Sequence, residues 1–138
     1  YSQAENEYAK TIYKTFIKPS SEIGSQESIQ PYRTSHSYGS TDVGDVSCLV
    51  PTAGVRTATW VPGTASHSRQ AVASGGTSIG IKGAELAAKT IASTAIDIFK
   101  DQTFIIKAQS ELENRVGQDF EYKALLGDRK PPLDYRKN

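Results

Sequence analysis

Methionine is absent from this chain, cysteine occurs once, and no run of apolar residues approaches the length of a membrane span. Each absence removes a class of explanation. A helix needs about 20 apolar residues to cross a bilayer, so no membrane partner is expected. A single cysteine, Cys48, cannot build an internal disulfide framework, and it suits a reducing, cytoplasmic setting. It lies in the apolar stretch VSCLV with no base at a recognisable spacing, which predicts a buried free thiol rather than a nucleophile. Neither charge sign is in excess: 16 basic against 15 acidic residues leave a formal net charge of +1. The basic residues are scattered, whereas nucleic-acid binders carry a patch or stripe, so no nucleic-acid partner is expected. The missing methionine and the tyrosine at position 1 predict a piece of a longer fold.

What is present reads as follows. The 138 residues have the size of one domain. Ser2 and Glu5 have capping-box spacing, and Ala9, Ile12 and Phe16 follow as an apolar stripe, predicting a helix over 2–16. Residues 20–37 are polar and Ser-rich, a loop. Val46–Val50 and Thr57–Val61 are β-favouring runs ended by Pro51 and by Pro62-Gly63, predicting two strands. Gly75-Gly76 and Gly80 bracket a flexible stretch. Ala84, Ala87, Ala88, Ile91, Ala92, Ala95, Ile98 and Phe99 then share one helical face, whose small residues let the helix lie close against a sheet or another helix. A break at 101–103 precedes a second amphipathic helix, with Ile105, Ala108, Leu112 and Val116 inward. The tail from Gly117 is irregular, and there is no internal repeat. Two strands are few for a free-standing α/β domain of this length. The expected class is therefore α/β, with few strands flanked by helices and a sheet completed by residues outside the chain.

Candidate chemistry is sparse. His67 lies in the polar loop GTASHSRQ just beyond a strand, a common place for a metal ligand; a surface role is the commoner fate of a lone histidine. His36, in TSHSYG, carries no such support. Asp42 and Asp45, three apart in a Gly-containing turn, suit a helix N-cap as well as metal work. No HExxH, P-loop or dinucleotide fingerprint is present.

One ordered combination goes further. GSTDVGDVS, a Pro-Thr step, the TATW strand, PGT, and HS with Gln two residues on resemble the C-terminal part of the B-subunit family of aminobenzoyl-glutamate hydrolases. The KG…AAK…AIDI helix, the amphipathic helix after it and the KPPL tail resemble it too. That family falls in the aminoacylase/glutamate-carboxypeptidase superfamily of dinuclear metallohydrolases. The resemblance implies the C-terminal part of a catalytic domain over residues 1–138, acting on the amide bond of an N-acyl amino acid. Two divalent metals, zinc or manganese, would serve the intact enzyme. His67 would be one metal ligand. Gly39, Ser40, Thr41 and Asp42 would line the cleft, and Gly63 and Thr64 would form the turn that brings in the ligand loop. The remaining ligands and the catalytic carboxylate would come from the N-terminal part of the same enzyme, so this chain alone should be inactive. An assembly of like or unlike subunits is implied, the alternative being a non-catalytic module that docks on a partner. Cys48 and Arg69 stand where related sequences tend to have Trp, which alters the wall of a cleft for a flat ring.

Overall fold

Helix α1 (Gln3–Tyr13) starts at a complete capping box: Ser2 Oγ accepts from Glu5 N at 3.2 Å, and the Glu5 carboxylate accepts from Ser2 N at 2.6 Å. Two orphan donors of the first turn are thereby satisfied within one turn of chain. The computed structural model describes residues 1–34, 36, 38–39, 41–134 and 136. Its other helices are α2 (Val43–Ser47), α3 (Arg69–Gly75), α4 (Ser78–Lys100) and α5 (Thr103–Val116), with one 3₁₀ turn at Ser25–Glu27. No strand forms among the described residues.

The chain divides into two compact units. The first comprises Tyr1–Ser37 and Gly54–Lys100, the second Tyr38–Ala53 and Asp101–Asn138. In the first unit, Ala9, Val61 and Ile79 form the buried centre, with Tyr1, Tyr8, Ile12, Tyr13, Phe16 and Ile23 packed around it. Tyr13 and Phe16 meet edge to face with ring centroids 5.4 Å apart. Polar bonds fasten α1 to the rest. Tyr8 Oη donates to Ala73 O at 2.7 Å, and Gln70 Nε2 donates to Thr15 Oγ1 at 3.0 Å. Glu5 accepts from Ser78 Oγ at 2.6 Å and from Lys82 Nζ at 2.7 Å.

Glycines let α4 begin where it does. A Cβ at Gly80 would stand 2.1 Å from the Gly75 carbonyl oxygen, and one at Gly83 would stand 2.4 Å from that of Ala58. Only a residue without a side chain admits backbone that close. Gly80 is therefore part of a helix rather than of a flexible stretch.

The second unit is smaller. Ala108, Leu112 and Val116 form the half-buried face of α5, close to the expected inward stripe, while Ile105 is more open. The opposite face is solvated and carries the Glu111–Arg115 ion pair. Asp101 starts the helix by accepting from Thr103 N at 2.9 Å, and hydrogen bonding from the Thr103 side chain first, then from its backbone, holds the carboxyl below the usual range. Tyr122 returns to donate to Asp45 Oδ1 at 2.7 Å.

Two expectations are corrected. Val46–Val50 is no strand: its first residues belong to α2, and Cys48 N, Leu49 N and Val50 N bond back to Gly44 O and Val46 O. A lone strand has no partner for its polar backbone, whereas a helical turn closes its own bonds. The long apolar face of α4 is largely open, with Ile91 60% and Phe99 81% exposed. Thr57–Val61 makes no ladder, and Thr59 N bonds only to Thr57 O at 3.1 Å. The exposed area totals 12077 Å². A folded chain of this mass exposes about 7,000 Å², and roughly 8,500 Å² even when counted as two separate domains of these lengths. Much apolar surface is left uncovered.

Candidate functional site

Pro62-Gly63 makes a tight turn because Pro presets its own φ and Gly63 adopts φ +85°, the type II arrangement. Thr64 closes the turn twice over, with its N 3.1 Å and its Oγ1 2.6 Å from the Val61 carbonyl oxygen. A Cβ at Gly63 would lie 2.8 Å from Pro19 Cβ and 2.9 Å from Ser21 O, so the turn is pressed against the loop that follows α1. Val61 and Pro62 are buried beneath it. The ligand-loop candidate thus leaves a fixed point.

Four residues after Gly63, His67 sits with φ +57°, the only non-glycine residue at positive φ among those described. Such a conformation costs about 1–2 kcal/mol for a residue with a Cβ and persists only where surroundings impose it. Here the next residue, Ser68, is the N-cap of α3 and accepts from Ala71 N at 3.1 Å. The left-handed step lets the chain turn from the Thr64 loop into that helix. The His67 ring is exposed and makes no hydrogen bond among the described residues. An imidazole in that state has both nitrogens available, which fits one coordination position and no more. Among the described residues no three His, Cys, Asp or Glu side chains gather to hold a metal ion.

Gly63 and Thr64 also line a groove of the first unit, about 650 Å³. Its other walls include Arg33, Arg56, Thr59 and Trp60. Neither arginine was singled out by sequence reasoning: one lies in the Ser-rich loop and the other before the expected strand. No local spacing signals a pair 23 positions apart.

The remaining cleft candidates lie in the second unit. Gly39, Thr41 and Asp42 are exposed, and Ser40 lies outside the described residues. Thr41 Oγ1 accepts from Val43 N at 3.3 Å, and Asp42 occupies the N-cap of α2 without a side-chain capping bond. Asp45 is instead engaged by Tyr122, and that bond, which favours the neutral phenol, pushes the Tyr122 pKa up. Cys48 is a half-buried free thiol beside a groove of about 450 Å³ that also touches Leu112 and Phe120.

The chain is similar to one component of a known hydrolase. It is 44% identical over 72 residues to the B subunit of p-aminobenzoyl-glutamate hydrolase from Escherichia coli (strain K12). The match covers 52% of this chain and 15% of that relative's length, so this chain spans only a small part of it. No protein-family model matches the chain, and no solved structure does. Among the described residues, no helix is long and apolar enough to cross a membrane.

Proposed function

We propose that this chain forms part of a metal-dependent amidohydrolase that cleaves the amide of an N-acyl amino acid such as aminobenzoyl-glutamate. The 44% identity to the hydrolase subunit carries this reading. The ordered motif from Gly39 to Gln70 supports it, because it places His67 on a loop aimed by the fixed Pro62-Gly63 turn. The fold we propose is the C-terminal portion of an α/β metallopeptidase-type catalytic domain, working in the cytoplasm. Its sheet would be completed by residues outside this chain. The unpaired β-favouring segment Thr57–Val61 and the open apolar face of α4 are what such a sheet and its neighbours would cover.

In this reading His67 supplies one neutral imidazole to one of two divalent ions, zinc or manganese. When bound, such ions polarise the amide carbonyl and lower the pKa of a water molecule. Gly63 and Thr64 face the substrate from the turn, while Gly39, Ser40, Thr41 and Asp42 contribute a second stretch of cleft wall. The other ligands and the proton-transferring carboxylate come from the N-terminal part of the same enzyme, and a partner subunit completes the assembly. One ligand cannot assemble a two-metal centre, so the chain by itself is inactive.

The test is metal content. After equilibration with zinc and manganese and removal of free ion, the purified chain is expected to retain none. Tight, near-stoichiometric metal would show that it builds its own site and would overturn this reading. A docking module without catalysis is the second reading, favoured by the same uncovered apolar surface. It predicts that the complement of this chain restores folding cooperativity and gives no hydrolysis.

A further inference from the structure

We infer that the groove beside Gly63 and Thr64 binds a small dicarboxylate through Arg33 and Arg56. Both arginines line this one groove of about 650 Å³, and no Asp or Glu does. Neither guanidinium makes a hydrogen bond or ion pair among the described residues. This sets them apart from Lys82, Lys89, Arg115 and Lys123, which are all paired with carboxylates. Two uncompensated cations around one concavity create a positive potential that a dianion neutralises. Guanidinium forks match carboxylate geometry, each giving two parallel bonds to one carboxylate.

The volume separates a dicarboxylate from a compact anion. The groove lies within the range of small-molecule sites, roughly 300–1,000 Å³, far more than a phosphate fills. The two arginines stand on different segments, one on the loop after α1 and one before Thr57, so a ligand with two separated charges suits them better than a single centre. Trp60 adds an apolar wall for the carbon chain between. The Gly63 turn supplies the floor, held in place by its contact with Pro19 and Ser21.

That the dicarboxylate is part of a substrate rests on the proposed hydrolase function; that the groove binds one does not. Trp60 is the chain's single tryptophan, so its fluorescence reports on this groove alone. Titration of the 138-residue chain with glutarate, with a chelator present, is expected to give a saturable change. Arg33→Gln and Arg56→Gln should each weaken binding about tenfold, the loss typical of a charged hydrogen-bond pair. Both residues are exposed, so neither change should alter the circular dichroism. Arg56→Lys, which keeps the charge and loses the fork, should fall between. Propionate and inorganic phosphate should bind at least about tenfold more weakly than glutarate. No saturable change, equal binding of phosphate, or arginine variants that bind like the wild type would each overturn the site. Glutarate binding together with metal held tightly by the isolated chain would keep the site and sink the hydrolase reading. The reverse pair of results would do the opposite.

Discussion

Glu5 and Lys82, 77 residues apart in sequence, meet at 2.7 Å, and the carboxylate is almost wholly withdrawn from solvent while the ammonium stays half open. Ser78 Oγ and Ser2 N complete the shell around the carboxylate. One side chain thus caps α1 and ties it to the first turns of α4.

This bond set makes folding pH-dependent. The Lys82 bond, then those from Ser78 and Ser2, pull the Glu5 carboxyl from its ordinary 4.5 to about 2. A depressed carboxyl contributes stability that is full above the unfolded pKa and fades as pH falls from about 4.5 through about 2. Glu5→Gln should therefore melt below the wild type at pH 7, and the two curves should converge across that window. A gap that stays constant down to about pH 2 would assign the loss to packing instead.

At Gly63 both conformation and space exclude a side chain. Gly63→Ala should cost more than about 1 kcal/mol in urea unfolding, since φ is positive and the new methyl would strike Pro19 and Ser21. At Gly44, in α2, a methyl would meet nothing within 4 Å, so Gly44→Ala should stabilise by about 0.5–1 kcal/mol. Equal effects at the two sites would contradict the turn geometry.

Ser74 on α3 is wholly buried, and its hydroxyl has no hydrogen-bond partner among the described residues. Removing an unpaired buried polar atom relieves a desolvation cost of roughly 1–3 kcal/mol. Ser74→Ala should be neutral or stabilising by thermal melting. A clear loss of stability would mean that the hydroxyl has a partner.

His67 permits a separation of strain from chemistry. His67→Ala keeps the left-handed strain, while His67→Gly relieves about 1 kcal/mol of it. On the proposed reading of His67 as a metal ligand, both variants, placed in the complete enzyme, should lose metal and activity together, yet only the glycine variant should gain stability. Full activity in either would overturn the proposal that His67 is a metal ligand.

In the second unit the Tyr122–Asp45 bond should be visible by titration. A phenol donating to a carboxylate resists ionisation, so its contribution is present below the ordinary pKa of 10.0 and is lost as pH rises through the raised value. The difference in near-ultraviolet absorbance between wild type and Tyr122→Phe should titrate above 10.0, and Asp45→Asn should bring it back down. No movement on Asp45→Asn would break the assignment.

Local signals in the sequence were sufficient wherever a residue's partner lies within a turn of chain. Ser2 and Glu5 announced the start of α1, Pro62-Gly63 the tight turn, and residues 101–103 the break before α5, because caps and turns are settled by bonds three or four residues long. Where the answer depends on what lies alongside, the sequence was silent or pointed elsewhere. Val46–Val50 has strand composition, yet without a neighbouring strand its backbone closes helical bonds instead. Gly80 reads as the edge of a flexible stretch and is a contact point inside α4, and the close approach of Gly83 to Ala58 exists only once the chain has folded back. The Glu5–Lys82 bond, the burial of Val61 under the turn, and the meeting of Arg33 with Arg56 around one groove were likewise decided by tertiary structure. Periodicity and spacing act over one element, whereas burial and charge pairing depend on distances that only the folded backbone fixes.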